Sequence, residues 1–317
     1  MFIKGIKKIA SILAALGVVS LMTFLLIKAS SSDPAENFLR VSHIPITPEA
    51  VAKAREDLGL NLSLPEQYVM WLGQIMQGNF GISYLYKSDV LTLVVTGFLS
   101  TLHLGIVTFC LVLIGSLGLG LLSAWYRGKW IDKFIRVFTY ISVSMPTFWL
   151  GYLLMIVFGV YLKILPVSGK ESPLSIVLPS VTMSIPLLGQ YIALIRRHAI
   201  EQLSSDHAKN AILRGVNSMY LIKNHVLKNM MPVMVSSYMM TFAYLITGSL
   251  IIEEVFSWRG IGHLFVSAVQ AGDVPVIQAC MLLFGVLFLS INALMQYAMK
   301  KSNPLLRKEG DYCGEMC

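Results

Sequence analysis

Six long apolar runs constrain the fold of this chain more than any other feature of its sequence. Each run lacks Asp, Glu, Lys and Arg, and each can cross about 30 Å of hydrocarbon as a helix, which takes roughly 20 residues. The membrane spans that they predict are residues 9–27, 101–122, 137–162, 174–195, 232–252 and 276–298. Only 13% of all residues are charged, which is about half the share usual in soluble domains. The sequence therefore predicts an all-α polytopic membrane protein with six transmembrane helices.

The distribution of Lys and Arg predicts which segments face the cytoplasm. With a cytoplasmic N-terminus, the inner segments are residues 1–8, 125–136, 196–231 and 299–317. These hold 17 Lys and Arg residues against 8 in the outer segments, whereas Asp and Glu divide 6 to 11. Because positive charge collects in cytoplasmic loops, both termini are predicted to be cytoplasmic. Membrane topology then explains the net charge of +8, and no nucleic acid partner is expected.

The first run has one alternative interpretation, as a cleaved signal peptide. Lys4, Lys7 and Lys8 resemble the basic start of such a peptide. The apolar stretch of residues 9–27 is longer than the about 7–15 residues of a typical signal core, and no good small-residue cleavage site follows Lys28. An uncleaved first transmembrane helix is therefore predicted.

Residues 28–100 form the one large segment predicted to lie on the extracytoplasmic side. Thr47 followed by Pro48 is typical of a helix start, and Gly59 of a helix end. A second helix is predicted to begin after Pro65 and to end near Gly78. The segment is therefore predicted to be a small helical cap.

The predicted cytoplasmic loop, residues 196–231, contains a polar helix-forming segment. Ala208, Ala211 and Gly215 are three and four residues apart, so they share one helical face. Small residues on that face permit close approach by another surface, and Gly215 suits the position just after a helix. A new helix beginning near Asn217 is predicted to lead to Pro232 at the start of span five. From the residues alone, a docking site and an amphipathic linker on the membrane surface are equally favoured.

The segment resembles the cytoplasmic coupling loop of binding-protein-dependent ABC importer permeases, specifically the peptide/nickel permease family. The residues that carry this resemblance are Asp206, Ala211, Arg214, Gly215, His225, Leu227, Lys228, Asn229 and Pro232. Seven further stretches of similar sequence occur in the expected order, at residues 33–35, 58–60, 67–72, 80–83, 144–149, 254–262 and 275–278. The chain departs from the family pattern at Leu213, where a small residue is usual.

The resemblance implies the fold and the partners. The fold is that of a type I ABC importer permease, with residues 95–299 as the transmembrane domain, in the bacterial cytoplasmic (inner) membrane. The implied partners are a second homologous permease subunit, two cytoplasmic ABC ATPase subunits and an extracytoplasmic substrate-binding protein. The chain has no P-loop sequence, so ATP and Mg are expected on the ATPase subunits, with no cofactor or catalytic residue here. The residues assigned to ATPase coupling are Asp206, Ala208, Ala211, Arg214, Gly215, His225 and Asn229.

The predicted substrate is nickel or a nickel or other metal chelate, because residues 38–49 most resemble nickel-type permeases. A di- or oligopeptide importer permease is the alternative, and a carrier outside the ABC class or a structural membrane anchor is a more remote one. His103 and His263 are weak candidates for contact with the substrate. No metal ligand set is assigned, and the role of Cys313 and Cys317 is left open.

Overall fold

The computed structural model describes residues 2–29 and 33–302. This part of the chain is mostly helical, and its β-structure is limited to an isolated bridge between Ile82 and Asp89. The first seven α-helices are α1 Phe2–Ala29, α2 Pro34–Val41, α3 Pro48–Asp57, α4 Leu64–Met76, α5 Val90–Trp125, α6 Trp130–Ser144 and α7 Thr147–Leu154, which a π-helix, Met155–Tyr161, extends. The remaining seven are α8 Val177–Leu203, α9 Asp206–Leu213, α10 Ser218–Leu221, α11 Leu227–Thr247, α12 Leu250–Val255, α13 Ile261–Ala271 and α14 Val274–Ser302. Residues 303–317, including Cys313 and Cys317, lie outside the described residues.

Four helices in the described part of the chain are long and apolar enough to cross a membrane. They are Val90–Trp125, Pro173–Leu203, Ile222–Thr247 and Val274–Leu294. The pair formed by α6 and α7 adds a fifth if it is one broken span. Helix α1 covers the predicted first span, but its described apolar stretch, Ala14–Leu25, is shorter than a span. Polytopic membrane architecture is therefore confirmed, and the count of six spans stays a prediction.

The chain divides into two compact units. One comprises Met1–Thr101 with Arg259–Ser290, and the other comprises Leu102–Trp258 with Ile291–Cys317. In the first unit, α13 and the start of α14 pack against the start of α5 through buried apolar side chains. A smaller buried cluster joins α2 to α3.

The segment predicted to be extracytoplasmic contains the helices that its start and stop signals predict. The Thr47 side chain accepts a hydrogen bond of 3.2 Å from the Ala50 amide, and α3 begins at Pro48. Helix α3 ends just before Gly59, whose φ of 65° lies in the left-handed region. Helix α4 begins after Ser63, whose side chain and that of Glu66 form a capping box.

Helix α2 is an element that the sequence signals did not predict. Asp33 caps it by accepting a hydrogen bond of 3.0 Å from the Ala35 amide. The same carboxylate pairs with Arg55 of α3 at 2.8 Å. Burial acts to raise the pKa of Asp33, but the hydrogen bond and charge of Arg55 hold that pKa below its ordinary value. The ion pair therefore ties α2 to α3 within the cap.

The helix predicted over residues 137–162 is interrupted in the structure. The structure has two helices, α6 and α7, that meet at an angle of 107°. Met145, between them, is extended, with φ −83° and ψ 128°. The cause is Pro146, because a proline ring disfavours helical backbone at the preceding residue.

The predicted bounds of span five, residues 232–252, also differ from the structure. Pro232 lies inside α11, and a π-helical turn at Ile222–Val226 joins that helix to α10. A helix can continue through proline because the ring fixes φ near the helical value, and in a membrane protein neighbouring groups can satisfy the backbone carbonyl that loses its donor. At the other end, α11 stops at Gly248, and Leu250–Val255 forms the separate helix α12.

The second unit is built around α5, α6, α8 and α11. Its buried core includes Leu104, Ile195 and Tyr238, and the Tyr238 ring stacks on that of Tyr191 at 4.8 Å. Helix α8 packs on α6 so closely that position 189 has no room for a side chain. A Cβ atom on Gly189 would lie only 2.9 Å from the Thr139 carbonyl oxygen of α6. These contacts hold the middle of α8, the helix that leads into the candidate functional segment.

Candidate coupling site

Helix α9 begins directly after a short turn at the end of α8. The Ser205 hydroxyl accepts a hydrogen bond of 3.3 Å from the Ala208 amide, which caps the first turn. Lys209 lies 3.3 Å from Asp206, and both side chains are mostly exposed. An exposed pair of this kind adds little stability, so the helix is held mainly by its cap and by the packing of Ala208.

Gly215 ends α9, as its sequence position predicts. Its φ is 74°, in the left-handed region that glycine adopts without strain. The Val216 amide donates a hydrogen bond of 3.1 Å to the Ala211 carbonyl oxygen, which closes a Schellman motif. The turn at Gly215 therefore satisfies a helix-end carbonyl and redirects the chain towards α10.

The face of α9 that carries the small residues is turned inward at Ala208. Ala208 is 1% exposed, and α9 contacts α8 and α10 of its own chain. At Ala208 the small side chain therefore lets α9 lie directly on helices of its own chain. On the opposite side Leu213 is 83% exposed, and Asn210 beside it is also exposed.

The second half of the segment keeps its apolar face by changing its helical period. Leu221, Val226 and Met230 are all buried, although the first two are five residues apart. The π-helical turn at Ile222–Val226 accommodates that spacing, because its hydrogen bonds join residues five apart. The segment therefore enters α11 with the same face buried throughout.

His225 and Asn229 lie along the same helical stretch. The His225 ring is half-buried, and its centre is 6.2 Å from that of Tyr220. Asn229 donates a hydrogen bond of 3.0 Å from Nδ2 to Oε1 of Gln202 in α8. Asn229 thus links the start of α11 to the end of α8, while Arg214 and Gly215 remain exposed.

A buried acidic group near this segment was not predicted from the sequence. Asp132 of α6 is 1% exposed and pairs with Arg196 of α8, with Nε 2.7 Å from Oδ1. In the sequence, Asp132 is a single acidic residue among Lys129, Lys133 and Arg136, so it resembles an ordinary loop charge. Its partner is 64 positions away, and helical periodicity carries no signal for such a pair.

The two histidines considered for substrate contact lie in different compact units. His103 is an exposed residue of α5, with its ring centre 6.4 Å from that of Trp258. His263 is a half-buried residue of α13. Within residues 2–29 and 33–302, no three His, Cys, Asp or Glu side chains are grouped so that they could hold a metal ion. The role of either histidine therefore stays a hypothesis.

Comparison with known families and structures gives matches over nearly the whole chain. Residues 116–308 match the family described as binding-protein-dependent transport system inner membrane component. Residues 1–105 match the N-terminal region of membrane components of such systems.

Similar proteins include importer permeases with different substrates in their names. The metal-staphylopine import system permease CntB of Staphylococcus aureus is 38% identical over 304 residues, 96% of this chain and 97% of the relative. A probable peptide ABC transporter permease of Sinorhizobium fredii is 32% identical, covering 95% and 98%. The glutathione transport system permease GsiC of Escherichia coli is 31% identical, again covering 95% and 98%.

A solved structure shares the fold. It is the methionine ABC transporter MetNI in inward-facing conformations, with a TM-score of 0.57 and 17% identity. The match covers 67% of this chain and 97% of the other. The fold of a type I importer permease, which the sequence resemblance implied, is therefore confirmed.

Proposed function

This chain belongs to the inner membrane components of binding-protein-dependent transport systems, and we propose that its substrate is a metal chelate, with nickel as the metal. It is a multi-pass protein of the bacterial inner membrane and a permease subunit of an ABC importer. That membership sets aside a structural anchor and a carrier outside the ABC class.

The similarity to the metal-staphylopine permease supports the metal-chelate proposal. That relative is 38% identical to this chain, whereas the peptide and glutathione permeases are 32% and 31% identical. In a chelate, the chelator supplies donor atoms to the metal, so the permease needs no complete ligand set of its own. Weak contacts also favour passage, because tight binding would prevent release. Peptides are the second candidate, since two of the three relatives are named for peptide or glutathione transport.

Uptake by a strain that lacks this gene tests the substrate. We expect the deletion to abolish ATP-dependent accumulation of radiolabelled nickel supplied with staphylopine, and a plasmid copy to restore it. Labelled dipeptide and glutathione are measured in the same cells. Unchanged nickel uptake together with lost uptake of either peptide would move the assignment to peptides.

We also propose that α9 and the turn at Gly215 form the surface that meets an ATPase subunit. The support is the position of α9 between two apolar helices, on the side where Lys and Arg predict the cytoplasm. A further support is Leu213, a large apolar side chain of α9 that is 83% exposed. The roles of Asp206, Arg214 and His225 rest on the family resemblance.

The proposed mechanism is a rigid-body form of alternating access. ATP and Mg bind to the two ATPase subunits, and their closure moves α9 together with the end of α8. The membrane helices of this chain and of a second permease subunit, either a different chain or a second copy, then open outward to receive substrate from a binding protein.

Leu213→Asp tests the docking surface. We expect it to weaken association with the ATPase subunits roughly 30-fold or more, since an interface anchor is often worth about 2 kcal/mol. The measurement is the amount of ATPase that co-purifies with the tagged permease, together with uptake. Leu62→Asp is a matched control, because Leu62 is also exposed, at 43%, but lies in the predicted extracytoplasmic cap. Wild-type ATPase recovery from Leu213→Asp would refute docking through this face.

A further inference from the structure

We propose that Asp132 and Arg196 form a clamp that fixes α6 to α8, so that movement of α9 is delivered to the broken helix pair α6 and α7. In this role both are positioning residues for transport, and neither touches the substrate. The inference rests on the proposed function of α9 as the surface that meets the ATPase.

The Asp132 carboxylate of the clamp accepts four hydrogen bonds, two on each oxygen. Oδ1 of Asp132 accepts from the Ser123 hydroxyl at 2.7 Å and from Nε of Arg196 at 2.7 Å. Oδ2 accepts from the Gly128 amide at 2.8 Å and from Nη2 of Arg196 at 2.9 Å. The paired bonds to Arg196 form the planar fork in which guanidinium and carboxylate match most closely. One side chain therefore joins the end of α5, the turn after it, α6 and α8.

The burial of this pair favours a geometric role over a role in stability alone. Asp132 is 1% exposed and the Arg196 side chain 22% exposed. Removing charges from water is unfavourable, so a buried ion pair often stabilises a protein no more than apolar residues of the same size would. What such a pair adds is a strongly preferred arrangement of the two helices. In any other arrangement Asp132 would lose its fork to Arg196 and keep only Arg136 of its own helix, whose Nε lies 3.9 Å from Oδ1.

A second contact prevents α6 from rolling on α8. A Cβ atom on Gly189 would lie 2.8 Å from Val143 Cγ2 and 2.9 Å from the Thr139 carbonyl oxygen. Gly189 is seven residues before Arg196, which is about 10 Å along the helix. Two fixed points at this separation make α6 and α8 move as one body.

The clamp lies close to the proposed docking surface along the chain. Helix α8 ends at Leu203 and α9 begins at Asp206. Asn229 also bonds to Gln202 in the last turn of α8, at 3.0 Å. A displacement of α9 therefore reaches the end of α8 first, and the clamp passes it to α6 and on to the bend at Pro146.

Coupling in the complete transporter tests the clamp. The transporter is purified through a tag on this chain and reconstituted with its binding protein in liposomes. ATP hydrolysis and uptake are measured in the same vesicles, with radiolabelled nickel–staphylopine and a labelled dipeptide as probes. Arg196→Lys keeps the charge but loses the fork, and Asp132→Asn keeps the shape but loses the charge. In both, we expect uptake per ATP hydrolysed to fall about tenfold, within the 5- to 150-fold typical of coupling between sites.

Arg197→Lys is the matched control, since Arg197 is the adjacent exposed arginine. In this variant we expect the ratio of uptake to ATP hydrolysed to equal that of the wild type. A purely structural role would lower hydrolysis and uptake together, along with the melting temperature of the complex, and that result would overturn the clamp. An unchanged ratio in both variants would overturn it too. The Leu213→Asp result separates the two ideas. If that variant loses its ATPase while the clamp variants stay coupled, only the clamp fails; if it keeps its ATPase, docking through α9 fails.

Discussion

Replacing Gly215 with valine is expected to remove most transport while leaving the chain in the membrane. Gly215 has a φ of 74°, and in the described part of the chain no group apart from its two chain neighbours lies within 4 Å of the place that a Cβ atom would take. The effect is therefore one of backbone conformation and not of crowding. A β-branched residue in the left-handed region costs about 1–2 kcal/mol, which disfavours the observed turn roughly 5- to 30-fold. Uptake should fall by a similar factor, because the turn sets the direction of the chain after α9.

Two further substitutions at position 215 give the control for this expectation. Asparagine tolerates the left-handed region better than other side chains, so Gly215→Asn should retain most uptake, and Gly215→Ala should fall between the two. The amount of each variant in the membrane is measured by immunoblot alongside uptake. Equal uptake by the valine and asparagine variants would show that the backbone conformation of Gly215 has no part in transport.

Local signals in the sequence predicted local structure well. Thr47 with Pro48 set the start of α3, and Gly59 and Gly215 set the ends of α3 and α9. These signals work because a cap or a left-handed glycine acts on backbone groups within a few residues of itself. Long apolar runs were equally informative, since a helix is the one way for a single segment to satisfy its backbone in hydrocarbon.

Two of the prolines in apolar runs, Pro146 and Pro232, show where local signals stop being sufficient. Pro146 breaks its run into two helices at 107°, whereas Pro232 lies inside an uninterrupted helix. Both remove one backbone donor and disfavour helical backbone at the preceding residue. Which outcome occurs depends on the packing of the neighbouring helices, and that information is not local.

Parts of the candidate site could not be predicted from the sequence, because they too depend on packing between helices. The spacing of Ala208, Ala211 and Gly215 identified a small-residue face but not what covers it, and Ala208 is covered by its own chain. Asp132 and Arg196 are far apart in the sequence, and each resembles an ordinary charge of a basic loop. Their ion pair forms because α6 packs on α8. The spacing of apolar residues within either helix does not predict that packing.

The close packing of α6 on α8 gives the second large expected effect, from Gly189→Val. The Cβ atom alone would lie 2.9 Å from the Thr139 carbonyl oxygen and 2.8 Å from Val143 Cγ2. The oxygen belongs to the backbone of α6, so it cannot move aside without displacing that helix. Overpacking of this kind costs about 1–3 kcal/mol, and two further methyl groups add to the clash. We expect a strongly reduced amount of folded chain and a lower melting temperature in detergent.

Gly118→Val tests whether this effect belongs to the contact and not to the loss of a glycine. Gly118 also lies within a helix, α5, but among the described residues no group outside that helix's own backbone lies within 4 Å of the Cβ position there. Valine forms helices at least as readily as glycine, so this variant should accumulate and melt as the wild type does. Gly189→Ala should lie between the two, because it adds the clashing Cβ without the methyl groups. Equal melting temperatures for the variants at positions 189 and 118 would mean that α6 and α8 separate easily, and a separable pair could not carry movement from α9 to the bend at Pro146.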